Sequence, residues 1–146
     1  MSIDIQSATP AHIPQIFALE SRCFRRPWTP AQLAYYLESP GYVLLIAAEG
    51  AELWGYLCLD SVLDEGTVAN VAVAPERRRR GIGEKLLRAA QDRARALGLK
   101  SLYLEVRESN AAALTLYEKQ GFQRAGLRKR YYEDPVEDAV LMTKYL

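Results

Sequence analysis

The sequence holds little of what a metal centre, a disulfide scaffold or a membrane span would need. Its 146 residues include two cysteines, Cys23 and Cys58, and one histidine, His12. Two distant thiols and a single imidazole do not make a zinc site of the Cys and His kind, so no metal is expected. Both thiols read as small buried hydrophobes in a reducing compartment. The longest apolar run, Val43-Leu44-Leu45-Ile46-Ala47-Ala48, is far shorter than the roughly 20 residues that span a bilayer. Met1 to Ile5 alternates like a strand and has neither the basic start nor the apolar stretch of a secretory signal, so a cytoplasmic protein is expected. An excess of one charge sign is also missing, with 19 Lys and Arg against 18 Asp and Glu. A net charge of +1 provides no long-range field, so neither nucleic acid nor a membrane is expected as a partner.

What is present is an ordinary globular balance, 49% apolar and 25% charged, over a length that suits one domain, residues 1–146. Helix and strand patterns alternate. Thr9-Pro10 is a helix start, followed by Ile13, Ile16, Phe17 and Glu20 at helical spacing. Thr29-Pro30 repeats that signal for a short helix ending before Pro40-Gly41. Strand-like runs at 42–49, 53–63 and 66–73, separated by short turns, predict an antiparallel meander. Gly81 then opens a helix whose apolar face is Leu86, Leu87, Ala90, Ala94 and Leu97, with Glu84 and Arg88 paired on the other face. Gly98 ends it. Leu102, Leu104 and Val106 alternate with Tyr103 and Glu105 in a strand, Asn110 caps a helix over 111–119, and Gly121 ends that one. A strand from Phe122 and a last run at 139–144 close the sheet.

The unusual feature is Arg77-Arg78-Arg79-Arg80 followed by Gly81-Ile82-Gly83, between the strand at 66–73 and a helix. Four like charges at the positive end of a helix dipole are unfavourable unless an anion lies among them. Free N–H groups of Gly81, Ile82 and Gly83 would cradle a phosphate or pyrophosphate, with the glycines leaving room for its approach. A solvated face or a nucleic-acid patch is the competing reading of the arginines. The turn is not a Walker loop, which needs a Gly-Lys-Ser/Thr ending, nor a dinucleotide fingerprint, whose third glycine position is Leu86 here. Further along, Asn110, Ala113, Leu114 and Tyr117 share one helical stripe, and Glu105 lies on the strand face opposite Leu104 and Val106.

Arg78-x-x-Gly81-x-Gly83 resembles the acetyl-CoA pyrophosphate motif of the GNAT acetyltransferases. Leu104-Glu105-Val106-Arg107, Asn110, Ala113-Leu114 and Leu116-Tyr117 through Gly121-Phe122 are similar to that family's later motif. The segment from Tyr131-Tyr132 to Met142 resembles the N-terminal acetyltransferases of the family, most closely those acting on an alanine of a small-subunit ribosomal protein.

The resemblance implies an α/β fold with a mixed, mostly antiparallel sheet of about six to seven strands and helices on both faces. It implies acetyl-CoA as cosubstrate, bound by Val71, Ala72, Val73, Arg78, Arg79, Arg80, Gly81, Ile82, Gly83, Glu84, Asn110 and Tyr117. Glu105 is then the base, directly or through water, and Tyr117 the acid that protonates the departing thiolate. Trp28, Tyr131 and Tyr132 are expected to contact a protein N-terminus, ribosomal by resemblance, in a monomer or weak dimer. Glu133, Asp134, Glu137 and Asp138 form an acidic stretch that suits either a basic peptide or a solvated loop. A lysine or small-amine acetyltransferase, or a non-catalytic module binding acetyl-CoA or RNA phosphate, remains the alternative.

Overall fold

A computed structural model describes residues 3–146, so Met1 and Ser2 of the expected first strand lie outside the described residues. The elements in chain order are β1 (Asp4–Ser7), α1 (Ile13–Cys23), α2 (Pro30–Glu38), β2 (Val43–Glu49), β3 (Glu52–Val62), β4 (Glu65–Val73), α3 (Ile82–Ala96), β5 (Ser101–Arg107), α4 (Ala111–Lys119), β6 (Gln123–Tyr132) and β7 (Glu137–Tyr145). Among the described residues these strands form one seven-stranded sheet in the order β1-β2-β3-β4-β5-β7-β6. Every neighbouring pair is antiparallel except β4 with β5. The last run therefore does not lie at an edge. β7 inserts between β5 and β6, because the β6–β7 hairpin docks through its second strand.

Local chemistry sets the helix ends. At α2, Thr29 Oγ1 accepts the Gln32 N–H at 3.2 Å while Gln32 Oε1 accepts the Thr29 N–H at 2.8 Å, a reciprocal capping box. The expected helix start at Thr9-Pro10 is a 3-10 turn over Pro10–His12 leading into α1. α3 ends in a Schellman turn. Gly98, at φ +78°, donates to the Arg95 carbonyl, and Leu99 donates to the Ala94 carbonyl at 2.9 Å. That turn corrects one expectation: Leu97 leaves the apolar face and is 48% exposed, while Leu99 folds back into the core.

Two apolar layers hold the sheet. α3 and α4 cover one face with Leu86, Leu87, Ala90 and Leu114 against Leu57, Leu102 and Leu104; α1 and α2 cover the other with Ile16 and Leu33 against Ile46, Tyr56 and Cys58. Strands β2 and β3 are covered on both faces, which explains their nearly unbroken apolar runs.

A bulge in β4 positions the site. Cys58 pairs with Asn70 but the next residue, Leu59, pairs with Val68, so Ala69 is an extra residue in β4. A bulge bends its strand and resets the in–out alternation. Val68 and Val71, three apart, consequently pack toward α3, while Asn70 reaches α1.

Candidate active site

The parallel pairing of β4 and β5 covers only residues 65–67 against 101–103. Beyond the bulge the strands part, and a cleft of about 860 Å³ lies between them. Val68 to Val71 form one wall and Leu104 to Arg107 the other. Asn110, Ala113 and Tyr117 of α4 close one side, and Tyr131 and Tyr132 of β6 face Trp28 and Cys23 across the opening. Of the residues expected from the sequence, Glu105, Tyr117, Val71, Asn110, Trp28, Tyr131 and Tyr132 thus share one cavity.

Glu105 stands on the β5 face opposite buried Leu104 and Val106. Its Oε1 accepts the Tyr103 hydroxyl at 2.9 Å, and the carboxylate also raises the Tyr131 phenol, which stands close beside it, whereas Oε2 has no hydrogen bond of good geometry among the described residues. A buried carboxylate oxygen without a donor is unfavourable, and Glu105 lines the cleft in which a donor would have to be supplied. Burial, followed by the hydrogen bond to Glu105, pushes the Tyr103 phenol up to about 12; burial and the charge of Glu105 do the same for Tyr132. Tyr117 is also pushed up to about 12, by burial alone, so it stays a neutral donor throughout the physiological range. Its ring is fixed against Phe122, 5.9 Å between centroids. Asn110 caps α4 by accepting the Ala113 N–H at 3.1 Å through Oδ1, which leaves its amide N–H groups for the cleft.

The arginine and glycine segment stands at the β4–α3 turn, and the four guanidinium groups do not converge. Arg77 lies 4.1 Å over the Trp54 ring and pairs with Glu52 at 3.1 Å, and Arg80 is 5.8 Å from the same ring. Arg78 turns back to β4, donating to the Val73 carbonyl at 3.2 Å, with Cys23 Sγ at 3.8 Å. Of the four, Arg77 is paired with an acid and Arg78 with a carbonyl, so the segment does not converge on one shared anion. Arg79 has φ +65° and Gly81 φ +76°, and no side chain caps α3. A Cβ at Gly81 would meet nothing within 4 Å, whereas one at Gly83 would come 3.3 Å from Leu116, so Gly83 also permits close packing of α3 on α4. Glu84 faces α4, bonded to Arg88 at 2.8 Å and Gln120 at 3.3 Å. The alanine and valine backbone at 72–73 is paired to β3 on one edge and has no β5 partner on the other.

Glu20 and Cys23 are among the cleft residues that the sequence reading did not assign to the site. Glu20 is 1% exposed, its Oε2 accepting the Trp28 N–H at 2.9 Å and its Oε1 accepting Asn70 Nδ2 at 2.7 Å and the Tyr56 hydroxyl. Burial pushes its carboxyl up, and the Trp28 N–H pulls it partly back. An acid on the apolar stripe of Ile13, Ile16 and Phe17 was the available signal, since a core carboxylate needs partners. Cys23 corrects the reading of both thiols as core residues: Cys58 is buried, but Cys23 lines the cleft. The acidic stretch is partnered within the chain. Glu133 and Asp134 pair with Arg26 at 2.8 and 3.4 Å, and Glu137 with Arg107 at 3.3 Å, tying the β6–β7 turn to the α1–α2 loop and to β5.

Comparison with known proteins agrees with this fold. The model of the Acetyltransferase (GNAT) family matches residues 13–122. The ribosomal protein bS18-alanine N-acetyltransferase of Escherichia coli (strain K12) is 35% identical over 140 residues, 94% of this chain and 94% of that protein. Its counterpart in Salmonella typhimurium is 36% identical over 143 residues, 97% of this chain and 95% of that one. The crystal structure of the ribosomal-protein-S18-alanine N-acetyltransferase from Escherichia coli superimposes with a TM-score of 0.89 at 34% identity, covering 99% of this chain and 94% of that one. A split parallel pair with an acid on one strand and a phenol on the adjoining helix is thus found in a chain that belongs to the GNAT family of acetyltransferases.

Proposed function

We propose that the chain transfers an acetyl group from acetyl-CoA to the α-amine of a protein N-terminus, the alanine of ribosomal protein bS18, by direct attack. The observation that carries this reading is the Glu105 carboxylate, ringed by the Tyr103 and Tyr131 phenols and with Oε2 short of a donor, in a cleft shared with Tyr117. The activity of the bS18-alanine N-acetyltransferases, matched over nearly their whole length, supports the acceptor. The β4–α3 turn fits a diphosphate: α3 begins uncapped at an open Gly81, with Arg78 and Arg79 alongside. Bound there, acetyl-CoA supplies the activated acetyl thioester. An α-amine of pKa near 8 is about a tenth neutral at pH 7, whereas a lysine is neutral to roughly 0.04%. A modest base therefore suffices. Glu105 takes the amine proton, directly or through a water, as the amine nitrogen bonds to the acetyl carbon, and the Tyr117 hydroxyl gives a proton to the leaving sulfur as the C–S bond breaks. The unpaired edge of β4 near Val71 offers backbone groups to the pantetheine arm, and Trp28, Tyr131 and Tyr132 flank the peptide.

The test is a panel of N-terminal peptides, internal-lysine peptides and polyamines with acetyl-CoA, ranked by kcat/KM from released CoA thiol. The bS18 alanine peptide should lead. A preference for lysine or polyamine would overturn the acceptor, and no turnover with any amine would favour a binding module.

The pH profile provides a second check. With Tyr117 pushed up to about 12, the donor stays protonated in base, so the loss of activity by its ionisation moves upward. Expected is a kcat/KM that rises with the α-amine near pH 8 and has no falling limb through roughly pH 10.5, above the ordinary tyrosine value of about 10. A descending limb below that value would assign the proton donor to another group.

A further inference from the structure

A second hollow, of about 470 Å³, lies next to the cleft and shares Trp28 with it. Its walls include Trp28, Gln32, Tyr35, Tyr36, Tyr42 and Asp60. The rings form a continuous run. Trp28 stacks on Tyr36 at 5.2 Å, Tyr36 meets Tyr42 at 5.0 Å, and Tyr35 and Tyr42 meet edge to face at 5.5 Å. The Tyr36 hydroxyl donates to Asp60 Oδ2 at 2.9 Å, which holds the carboxylate at the wall and leaves Oδ1 to a ligand. Among the described residues, no basic side chain lines the hollow. Tyr35 is 58% exposed although α2 offers a buried face, so its ring stands at the rim.

Aromatic faces carry a negative quadrupole, and a carboxylate among them adds a full charge. This combination attracts a cation with an apolar stem and discriminates against an anion. The extended acceptor peptide advances about 3.3 Å per residue. Beginning at Glu105 and crossing Trp28, it brings a side chain a few residues downstream to the hollow. We propose that this aromatic and acidic hollow receives an arginine or lysine side chain of the acceptor, downstream of its first residue. The inference rests on the protein N-terminus reading above.

The test uses alanine-initiated peptides that carry one arginine at each of positions two to six in turn, each compared with its norleucine counterpart. At one position the replacement should raise KM roughly tenfold with kcat held, the size of one desolvated cation–π contact. Tyr35→Ala and Asp60→Asn should raise KM for the basic peptide and abolish its advantage over the norleucine peptide; Asn retains an acceptor for Tyr36. Equal effects on both peptides would overturn the proposal. A second measurement separates it from the enzyme assignment. Titrating the protein with N-acetyl-arginine methylamide should shift the indole N–H resonance of Trp28 and leave that of Trp54, already stacked under Arg77, in place. An immobile Trp28 resonance, or an equal response to the norleucine analogue, overturns the hollow as a cation site even where peptides are acetylated. A selective shift that is lost in Asp60→Asn upholds it as a cation site even where no peptide turns over; a shift that persists in Asp60→Asn places the cation in the neighbouring cleft and overturns the proposal.

Discussion

Tyr117→Phe should lower kcat by a factor on the order of 10²–10⁴, the usual contribution of a positioned proton donor, with KM for acetyl-CoA and peptide little changed. The phenylalanine retains the ring packed on Phe122 and the apolar contacts of α4, so folding is expected to be nearly unaffected. Only the hydroxyl leaves. A thiolate of pKa near 8.5 is not a poor leaving group at pH 7, so the effect belongs nearer the lower end of that range. The diagnostic feature is an equal fall in kcat and kcat/KM, which marks an interaction made in the transition state alone. Steady-state thiol release and single-turnover acetylation decide it. A loss below fivefold would show that water or another group supplies the proton.

How much of this was legible depended on how local each feature is. The arginine and glycine turn, the Asn110 cap and the Glu105–Tyr117 pair lie within short stretches whose residue types and spacing carry the chemistry. The bulge at Ala69 was not legible, because nothing in 66–73 marks which residue will be unpaired from β3. Leu97 fits the helical period, and only the Schellman turn at Gly98 removes it from the core. The arginine run reads as one positive cluster. In three dimensions it divides, because Trp54 and Glu52 draw off Arg77 while the Val73 carbonyl takes Arg78. Glu20 is the strongest case, since its partners Tyr56 and Asn70 lie 36 and 50 residues away in sequence. A periodic pattern reports which face is buried, but not which donors the rest of the chain will bring there.

Glu20→Ala should destabilise the fold by about 3 kcal/mol and loosen the peptide side of the cleft. Its carboxylate satisfies three donors from three places: the Tyr56 hydroxyl of β3, the Asn70 amide of β4 and the Trp28 backbone N–H of the α1–α2 loop. A buried donor left unsatisfied costs about 1–3 kcal/mol, and water entering from the cleft offsets part of the sum. Denaturant midpoints at unchanged m measure the loss. The acid range gives an independent signature. Because burial raises the Glu20 carboxyl, the native state binds its proton more tightly than the unfolded chain. Wild-type stability from this group is therefore greatest below the unfolded value of about 4.3 and declines as pH rises toward the folded one, so the gap to Glu20→Ala should narrow across that window. Glu20→Gln keeps one acceptor oxygen but sets an amide N–H against a donor, and an intermediate loss follows. In Glu20→Ala Trp28 loses its backbone anchor, so KM for the peptide should rise more than kcat falls. A wild-type midpoint in Glu20→Ala would mean that water replaces the carboxylate at all three donors. The cleft wall would then be held by the packing of Trp28 on Tyr36 instead of by the buried acid.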